Sequence, residues 1–359
     1  MRNKKIDKRI ILTGGGTTGH VAVNLALIPR LLDQGYEIYY MGSKKGIEKD
    51  LIKPLENVKY VAISTGKLRR YFSWENFKDI FRVLWGILQS IYFIFKINPN
   101  VIFSKGGFVS VPVLIGGWVN RKAQIAHESD LTPGLANKLV QPFIKTIFTT
   151  FPDTEKYIKS GKAKFLGPVI RQDLLDGDKQ RLKEKLKIED DKKILLLMGG
   201  SLGAQALNKL LRENLDQLLQ DFNIIHSCGK GGLDPSIDKK GYYQFEYINE
   251  GLNDVLAASD LVITRAGANA IFEFLYYKIP MLLIPFEYGS RGDQIDNAKS
   301  FTDMGFSLMR MESKLDKKSF FEAIYQVDSK RDDMKKKMSN YSFDDSIGKI
   351  LKEINMQKR

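Results

Sequence analysis

Residues 9–35, RIILTGGGTTGHVAVNLALIPRLLDQG, decide the fold. An apolar, β-branched run from Arg9 to Thr13 ends in the glycine-rich GGGTTGH of residues 14–20. Val21, Val23, Leu25, Leu27, Ile28, Leu31 and Leu32 then form the apolar side of a segment that stops at Gly35. Such a pattern reads as strand, tight glycine turn, amphipathic helix and C-cap. YEIYYM at 36–41 supplies the next strand. The unit returns in the second half as KILLLM (193–198), GGSLGAQ (199–205) and the helical ALNKLLRENLDQLL, followed by the strands NIIHSC (223–228), LVIT (261–264) and MLLIP (281–285). Two strand–helix series, each opened by a glycine loop, predict an α/β protein of two Rossmann-like doubly wound domains facing across a cleft. Ligands are expected at the carboxyl ends of the strands. The boundary is expected at Gly167-Pro168, giving domains 1–168 and 169–341. An amphipathic tail, 342–359, with Ile347, Ile350, Leu351 and Ile354 at helical spacing, is expected to pack back on the first.

The chain has 359 residues, 43% hydrophobic and 27% charged, which suits a globular protein and excludes a disordered, fibrous or multi-span one. A single cysteine, Cys228, excludes a disulfide framework and a cysteine-based zinc site. The basic start is followed by only three apolar residues before the glycine loop, so no secretion signal is expected. The net charge of +14 lies wholly in the first half: 26 Lys/Arg stand against 12 Asp/Glu in residues 1–168, and 30 against 30 in 169–359. A one-sided basic field points to an anionic partner or to a solvated lysine-rich face.

Gly14, Gly16 and Gly19 match G-x-G-x-x-G, but a dinucleotide fold also wants an acid at the end of its second strand, where this chain has Gly42-Ser43-Lys44. NAD is thereby disfavoured, and an NADP-dependent oxidoreductase survives as an alternative through Lys44 and Lys45. What persists is the general property of backbone N–H groups at a helix start, which attract anions. Two such loops suggest two diphosphate-bearing ligands, or simply tight turns. His20 opens the first helix, where the dipole favours the neutral imidazole a general base needs. His127 and Glu128 sit at a strand end, and His226 lies in a buried strand. Ala268-Asn269 begin a helix with Glu273 a turn further in, suited to a ribose diol. Asp293 and Gln294 follow a buried strand, suited to sugar hydroxyls. Asp176-Gly177-Asp178 reads as a turn, and no metal is expected.

Residues 73–97, SWENFKDIFRVLWGILQSIYFIFKI, form one helical pattern with Phe77, Phe81, Leu84, Leu88, Ile91 and Phe95 as a core stripe. Only 13 uncharged residues lie between Arg82 and Lys96, too few to span a bilayer. Trp74, Phe77, Phe81 and Trp85 beside Lys67, Arg69 and Arg70 suit a surface resting on anionic lipid; a non-catalytic lipid-binding module is the second alternative.

GGGTTGH, SKGGFVSVP (104–112), HESDLTPGLANK (127–138), GPVIR (167–171), MGGSLGAQ (198–205), TRAGANAIFE (264–273) and GDQIDNA (292–298) together resemble the MurG family, in the form seen in Gram-positive cocci. The resemblance spans nearly the whole chain with the motifs in order. It implies a GT-B glycosyltransferase of peptidoglycan synthesis, and through that of cell shape and division. Such an enzyme moves GlcNAc from UDP-GlcNAc to the 4-hydroxyl of MurNAc in lipid I, with inversion, giving lipid II and UDP. The donor is expected in the C-terminal domain and the acceptor in the N-terminal one. Carried over by motif, Arg171, Ser201, Ile248, Ala268, Asn269, Glu273 and Gln294 bind UDP-GlcNAc, and Thr17, Thr18 and Gly19 approach its sugar. His20 is the candidate base. Gly15, Gly16, Lys105, Gly106 and Gly107 would receive the acceptor diphosphate. Many members read H-E-Q-N where this chain has His127-Glu128-Ser129-Asp130. The sugar contact therefore falls to Asp130, and Glu128 joins His20 as a candidate base. The resemblance further implies a peripheral enzyme on the cytoplasmic side of the cell membrane. It would touch anionic lipid and proteins of the cell-wall and division machinery, and need no cofactor and no nucleic acid.

Overall fold

The computed structural model describes residues 8–66, 74–158, 161–200, 203–248, 250–287 and 292–357, with 74–77 described by backbone alone. The chain divides into two compact units, Met1–Arg171 with Asp344–Arg359, and Gln172–Phe343. The break thus falls three residues beyond the Gly167-Pro168 read from the sequence.

In the first unit β1 (Arg9–Thr13), α1 (Gly19–Asp33), β2 (Glu37–Ser43), α2 (Ile47–Ile52), β3 (Val58–Ile63), α3 (Trp74–Ile97), β4 (Val101–Ser104), α4 (Ser110–Val119), β5 (Ala123–Glu128), α5 (Leu135–Val140), β6 (Thr146–Thr149) and β7 (Ala163–Phe165) follow in order. The strands form one sheet, β3-β2-β1-β4-β5-β6-β7, and every pairing is parallel. Parallel strands require crossovers, which bury both faces of the sheet. Ile10 and Leu12 accordingly point into one core with Leu27, Leu31 and Tyr40, and Ile11 into the other with Met41, Ile94, Ile102 and Leu114.

The second unit runs α6 (Lys179–Leu186), β8 (Lys193–Met198), α7 (Gln205–Glu213), α8 (Leu215–Asp221), β9 (Phe222–Ser227), β10 (Tyr242–Phe245), α9 (Leu252–Ala258), β11 (Leu261–Thr264), α10 (Ala268–Tyr276), β12 (Met281–Leu283), α11 (Asp293–Asp303), β13 (Ser307–Met309), α12 (Lys317–Ser329) and α13 (Arg331–Met338). Its sheet, β10-β9-β8-β11-β12-β13, is again wholly parallel. Asp178 caps α6 by accepting from the N–H groups of Gln180 and Arg181, which accounts for the acidic turn at 176–178.

The last helix, α14 (Ser346–Met356), belongs to the first unit. Ile350, Leu351 and Ile354 join the core on the α1 side of the sheet. Tyr36 donates its hydroxyl to Asn355 at 3.0 Å, and Lys164 pairs with Glu353 at 2.9 Å.

The core stripe read on α3 is inverted. Phe81, Leu84, Trp85, Leu88 and Tyr92 stand more than half exposed, and Phe95 is 76% exposed. Inward lie Asp79, Gly86, Ser90, Ile94 and Ile97. The reason is steric. A Cβ on Gly86 would stand 2.0 Å from the Ser64 carbonyl oxygen, and one on Gly116 of α4 would stand 2.8 Å from the Ser90 Cβ. Close backbone approach selects the small-residue face for the interior, and the large apolar residues are left outside. Lys78–Ile97 is long and apolar enough to cross a membrane by length and composition. However, α3 is the crossover between β3 and β4, and both its ends return to one sheet.

Candidate functional site

The first glycine loop leaves the carboxyl end of β1, beside the strand-order switch between β1 and β4, where α/β sheets bind ligands. Three side chains hold it from beneath. Tyr40 donates its hydroxyl to the Gly14 carbonyl at 2.7 Å, and Asn24 Nδ2 donates to the Thr13 carbonyl and to the Tyr40 hydroxyl, both at 3.1 Å. Glu48, fully buried, accepts from the Gly16 N–H at 3.2 Å, the Ser43 N–H at 3.0 Å and the Ser43 hydroxyl at 2.5 Å. Burial keeps the Tyr40 phenol protonated, its pKa raised far above the usual value.

Gly16, Thr17 and Thr18 crown the loop in solvent, and Gly19 and His20 begin α1 half-buried. His20 Nδ1 lies 3.0 Å from Thr17 Oγ1, a contact that helps orient the ring. The loop after β4 meets it closely: Gly107, at φ +81°, would carry a Cβ 2.2 Å from the Gly15 carbonyl oxygen and 3.0 Å from His20 Nδ1. Only glycine permits that approach.

The remaining first-unit candidates serve different ends. Lys105 is 1% exposed and donates to Ser129 Oγ at 2.8 Å; burial lowers its pKa, opposed by Glu128 and Asp130. Its ammonium therefore points into the protein, not at a solvent-borne diphosphate as the sequence reading expected. Gly106 and Gly107, both at positive φ, shape the turn above it. Glu128 spends both oxygens on its own loop. Oε1 accepts from the Asp130 N–H at 3.1 Å, and Oε2 accepts from the Gly134 N–H at 2.8 Å and Asn137 Nδ2 at 2.9 Å. A carboxylate engaged in this way orders the 128–137 segment and has little capacity left as a base. His127 is buried with Nε2 on Thr150 Oγ1 at 3.1 Å, and burial beside Lys105 holds its pKa well below the usual value.

In the second unit the described candidates Ala268, Asn269 and Glu273 follow β11, and Gln294 follows β12. Gly200, at φ +94°, follows β8, and its carbonyl accepts from the Gly203 N–H; Ser201 lies outside the described residues. Ala268 and Asn269 start α10, and Glu273 is buried in its second turn. Arg265 braces this corner by donating to the Ile284 carbonyl at 3.1 Å and to Glu312 at 2.5 Å, its guanidinium 5.4 Å from the Phe286 ring centre. Asn297 donates to the Ala266 carbonyl at 3.1 Å. Gln294 Oε1 accepts from the Phe286 N–H at 2.8 Å. Ile248 lies half-buried beyond β10, and Arg171 ends the first of the two stretches that make up the first unit.

Of the lipid-facing candidates, Phe81 and Trp85 are exposed, whereas Lys67, Arg69, Arg70 and the side chains of Trp74 and Phe77 lie outside the described residues. Trp118, Val119, Leu135 and Leu139, on α4 and α5, are exposed apolar residues that the sequence reading passed over. It also passed over Glu48, Tyr40, Asn24 and Asn137. Among the described residues no group of three or more His, Cys, Asp or Glu is placed to hold a metal ion.

Two parallel-sheet units, each opening on a glycine loop, define a GT-B glycosyltransferase, and the comparisons agree. The glycosyltransferase family 28 N-terminal domain matches residues 10–149 and the C-terminal domain of that family matches 194–354. A UDP-N-acetylglucosamine–N-acetylmuramyl-(pentapeptide) pyrophosphoryl-undecaprenol N-acetylglucosamine transferase of Geobacillus kaustophilus is 50% identical over 96% of this chain and 97% of its own. The enzyme of that name from Staphylococcus carnosus is 48% identical over 98% of both. The crystal structure of Acinetobacter baumannii MurG, 21% identical, superposes with a TM-score of 0.78 over 97% of this chain and 99% of that one, a likeness of fold. The chain belongs to the MurG family within glycosyltransferase family 28. Neither alternative, the oxidoreductase or the lipid-binding module, finds support among these relatives.

Proposed function

We propose that this protein transfers GlcNAc from UDP-GlcNAc to the 4-hydroxyl of the MurNAc unit of undecaprenyl-diphospho-MurNAc-pentapeptide, with inversion, releasing UDP. The observation that carries the reading is the 50% identity to an enzyme of that name over 96% of the chain, which takes in both units. The geometry of the first glycine loop supports it from below. The 3.0 Å contact between His20 Nδ1 and Thr17 Oγ1 orients the imidazole, and in the tautomer with the proton on Nδ1 it is Nε2 that takes the acceptor's hydroxyl proton. The oxygen then bonds to the donor's anomeric carbon as the bond from that carbon to the β-phosphate oxygen breaks. UDP departs with the electron pair.

In this reading the donor binds the second unit. Ala268 and Asn269, at the start of α10, receive phosphate and sugar, and Glu273 takes the ribose. Gln294 presents its amide nitrogen to the sugar, its oxygen being held by the Phe286 N–H. The backbone of Ile248 meets the uracil, and Ser201 and Arg171 meet the diphosphate. Helix starts and an arginine stabilise departing UDP without a metal. On the acceptor side Thr17, Thr18 and Gly19 face the transferred sugar, Asp130 contacts a sugar hydroxyl, and Glu128 acts by ordering the loop that carries Asp130.

We also infer a peripheral seat on the cytoplasmic face of the membrane. The outward face of α3 and the exposed Trp118, Val119 and Leu139, bordered by Lys78, Arg82, Lys96 and Arg121, suit an anionic leaflet. The test of the function is GlcNAc transfer from UDP-GlcNAc to a short-chain polyprenyl-diphospho-MurNAc-pentapeptide. Transfer abolished in His20→Ala with UDP binding intact is the expected result. Absence of transfer by the wild type would refute the reading.

A further inference from the structure

A cavity of about 660 Å³ opens beside the first glycine loop and is used by none of the roles above. Gly16, Lys44, Lys45, Asp79, Arg82 and Phe108 are among the residues that line it. Its walls are the segments that follow β1, β2, β3 and β4, the end of the sheet where α/β domains bind ligands. A volume of this size holds a small substrate group with room for its flanking parts.

The charge of the cavity is one-sided. Asp79, its single acid among the described residues, already accepts from Arg82 at 2.9 Å. No described carboxylate pairs with Lys44 or Lys45, which stand exposed in the turn between β2 and α2. Glu48, three residues beyond Lys45, is turned away and spent on Gly16 and Ser43. The same carboxylate changes the chemistry of the glycine loop. The Gly16 N–H, which would otherwise greet an anion, is bound to Glu48, and a Cβ on Gly15 would stand 2.5 Å from the Glu48 carboxyl carbon. A diphosphate seated on Gly15 and Gly16 would therefore meet a buried negative group. Lys105, the other expected anion ligand, faces inward to Ser129. Among the described residues, the cations that line a cavity together with Gly16 are Lys44, Lys45 and Arg82.

The lining of the cavity fits one part of the acceptor. It takes in both Gly16, on the loop that carries His20, and Arg82, whose helix turns the exposed Phe81 and Trp85 outward. In the acceptor a diphosphate joins the sugar, which must reach the His20 loop, to the lipid, which suits the apolar face of α3. Resting on the function proposed above, we propose that Lys44 and Lys45, with Arg82 at the lipid end, bind the diphosphate that joins sugar to lipid in the acceptor. Glu48 keeps the glycine loop from competing for it.

The test uses the full chain and a soluble short-chain polyprenyl-diphospho-MurNAc-pentapeptide. Lys44→Gln/Lys45→Gln is expected to raise KM for that acceptor by about 10- to 100-fold, the loss of two charge-assisted contacts, while KM for UDP-GlcNAc stays put. Inorganic pyrophosphate is expected to compete with the acceptor in the wild type and to weaken by a similar factor in the double variant. Lys44→Arg/Lys45→Arg, which keeps the charges, is expected to restore most of the affinity, and thermal unfolding checks that both variants fold. An acceptor shortened to the first residue of its peptide separates the two anions the molecule offers. If the rise in KM persists with it, the lysines hold the diphosphate. If the rise vanishes, they hold peptide carboxylates and the proposal is overturned, as it is by an unchanged acceptor KM. Failure of the wild type to transfer GlcNAc would instead bring down the proposed function itself.

Discussion

The two units share one topology and differ in where they keep their charge and their grease. The first, with 31 Lys/Arg against 15 Asp/Glu, carries the whole surplus of basic residues and turns the apolar face of α3 outward; the second, residues 172–343, has 25 against 27. Polar anchoring differs too. In the first unit Tyr40, Asn24 and Glu48 hold the backbone of the glycine loop directly. In the second, Arg265 and Asn297 brace the corner before α10, and a buried set of Asn208, His226 and Tyr242 ties β9 to its neighbours. The contrast teaches that one Rossmann-like frame serves two tasks. In the proposed function the first unit seats the base beside an apolar surface, and the second offers its helix starts to the nucleotide.

The largest effect that sharpens this contrast is at His20. His20→Ala is expected to lower kcat by about 10²- to 10⁴-fold in a GlcNAc-transfer assay, with UDP binding measured by calorimetry unchanged. A variant that loses UDP binding as well would place the base and the nucleotide in one unit. Next comes the outward face of α3. Trp85→Ser, Leu88→Ser and Phe95→Ser together are expected to weaken binding to vesicles containing anionic lipid by roughly 100-fold, at about 1 kcal/mol for each half-embedded side chain. The melting temperature should hold, since these side chains leave the core untouched. A fall in stability with vesicle binding retained would show that the face is packed in the native protein.

A smaller effect is expected at Glu48. Glu48→Gln keeps the shape but turns an amide donor toward N–H groups, and unsatisfied buried donors cost about 1–3 kcal/mol. Chemical denaturation of the variant should show that loss together with a lower kcat, because the same carboxylate sets the loop that carries His20. The smallest effect is a pH slope. Burial beside Arg212 pushes the His226 pKa down to about 3, and burial beside Lys105 pushes that of His127 down as well. The unfolded imidazole titrates near 6.5, so below that pH the unfolded chain binds protons that the folded one excludes. The stability these groups contribute is complete above about pH 6.5 and falls as the solution is acidified, by up to about 1.4 kcal/mol per pH unit for each group. Unfolding curves between pH 5 and 8 measure the slope, and His226→Gln should remove one group's share of it.

Most of the fold was legible because glycine loops, buried strands and helical periodicity are local signals. The alternation from Arg9 to Gly35, and again from Lys193, marks each crossover without reference to anything distant. What local signals miss is the choice between faces and the partners of buried polar groups. The α3 segment has one apolar stripe long enough for a core and one of small residues, and hydropathy favours the first. The fit of Gly86 to the Ser64 carbonyl and of Ser90 to Gly116 decides for the second. Glu48 looks like any acid in the first turn of a short helix, since its partner, the Gly16 N–H, is 32 residues away. Lys105 stands in a glycine turn like an anion ligand, and only the burial that directs it to Ser129 withdraws it. Glu128, at the end of β5, reads like a catalytic acid in the sequence, and only the structure shows its oxygens taken by the N–H groups of residues 130 and 134.

The division of labour between the units is tested most directly by amide hydrogen exchange of the full chain with and without UDP. The account predicts slowed exchange in the segments after β8, β11 and β12, including residues 264–273 and 292–298, and none at residues 14–20. Slowing confined to the first glycine loop, with the second unit unaffected, would contradict it.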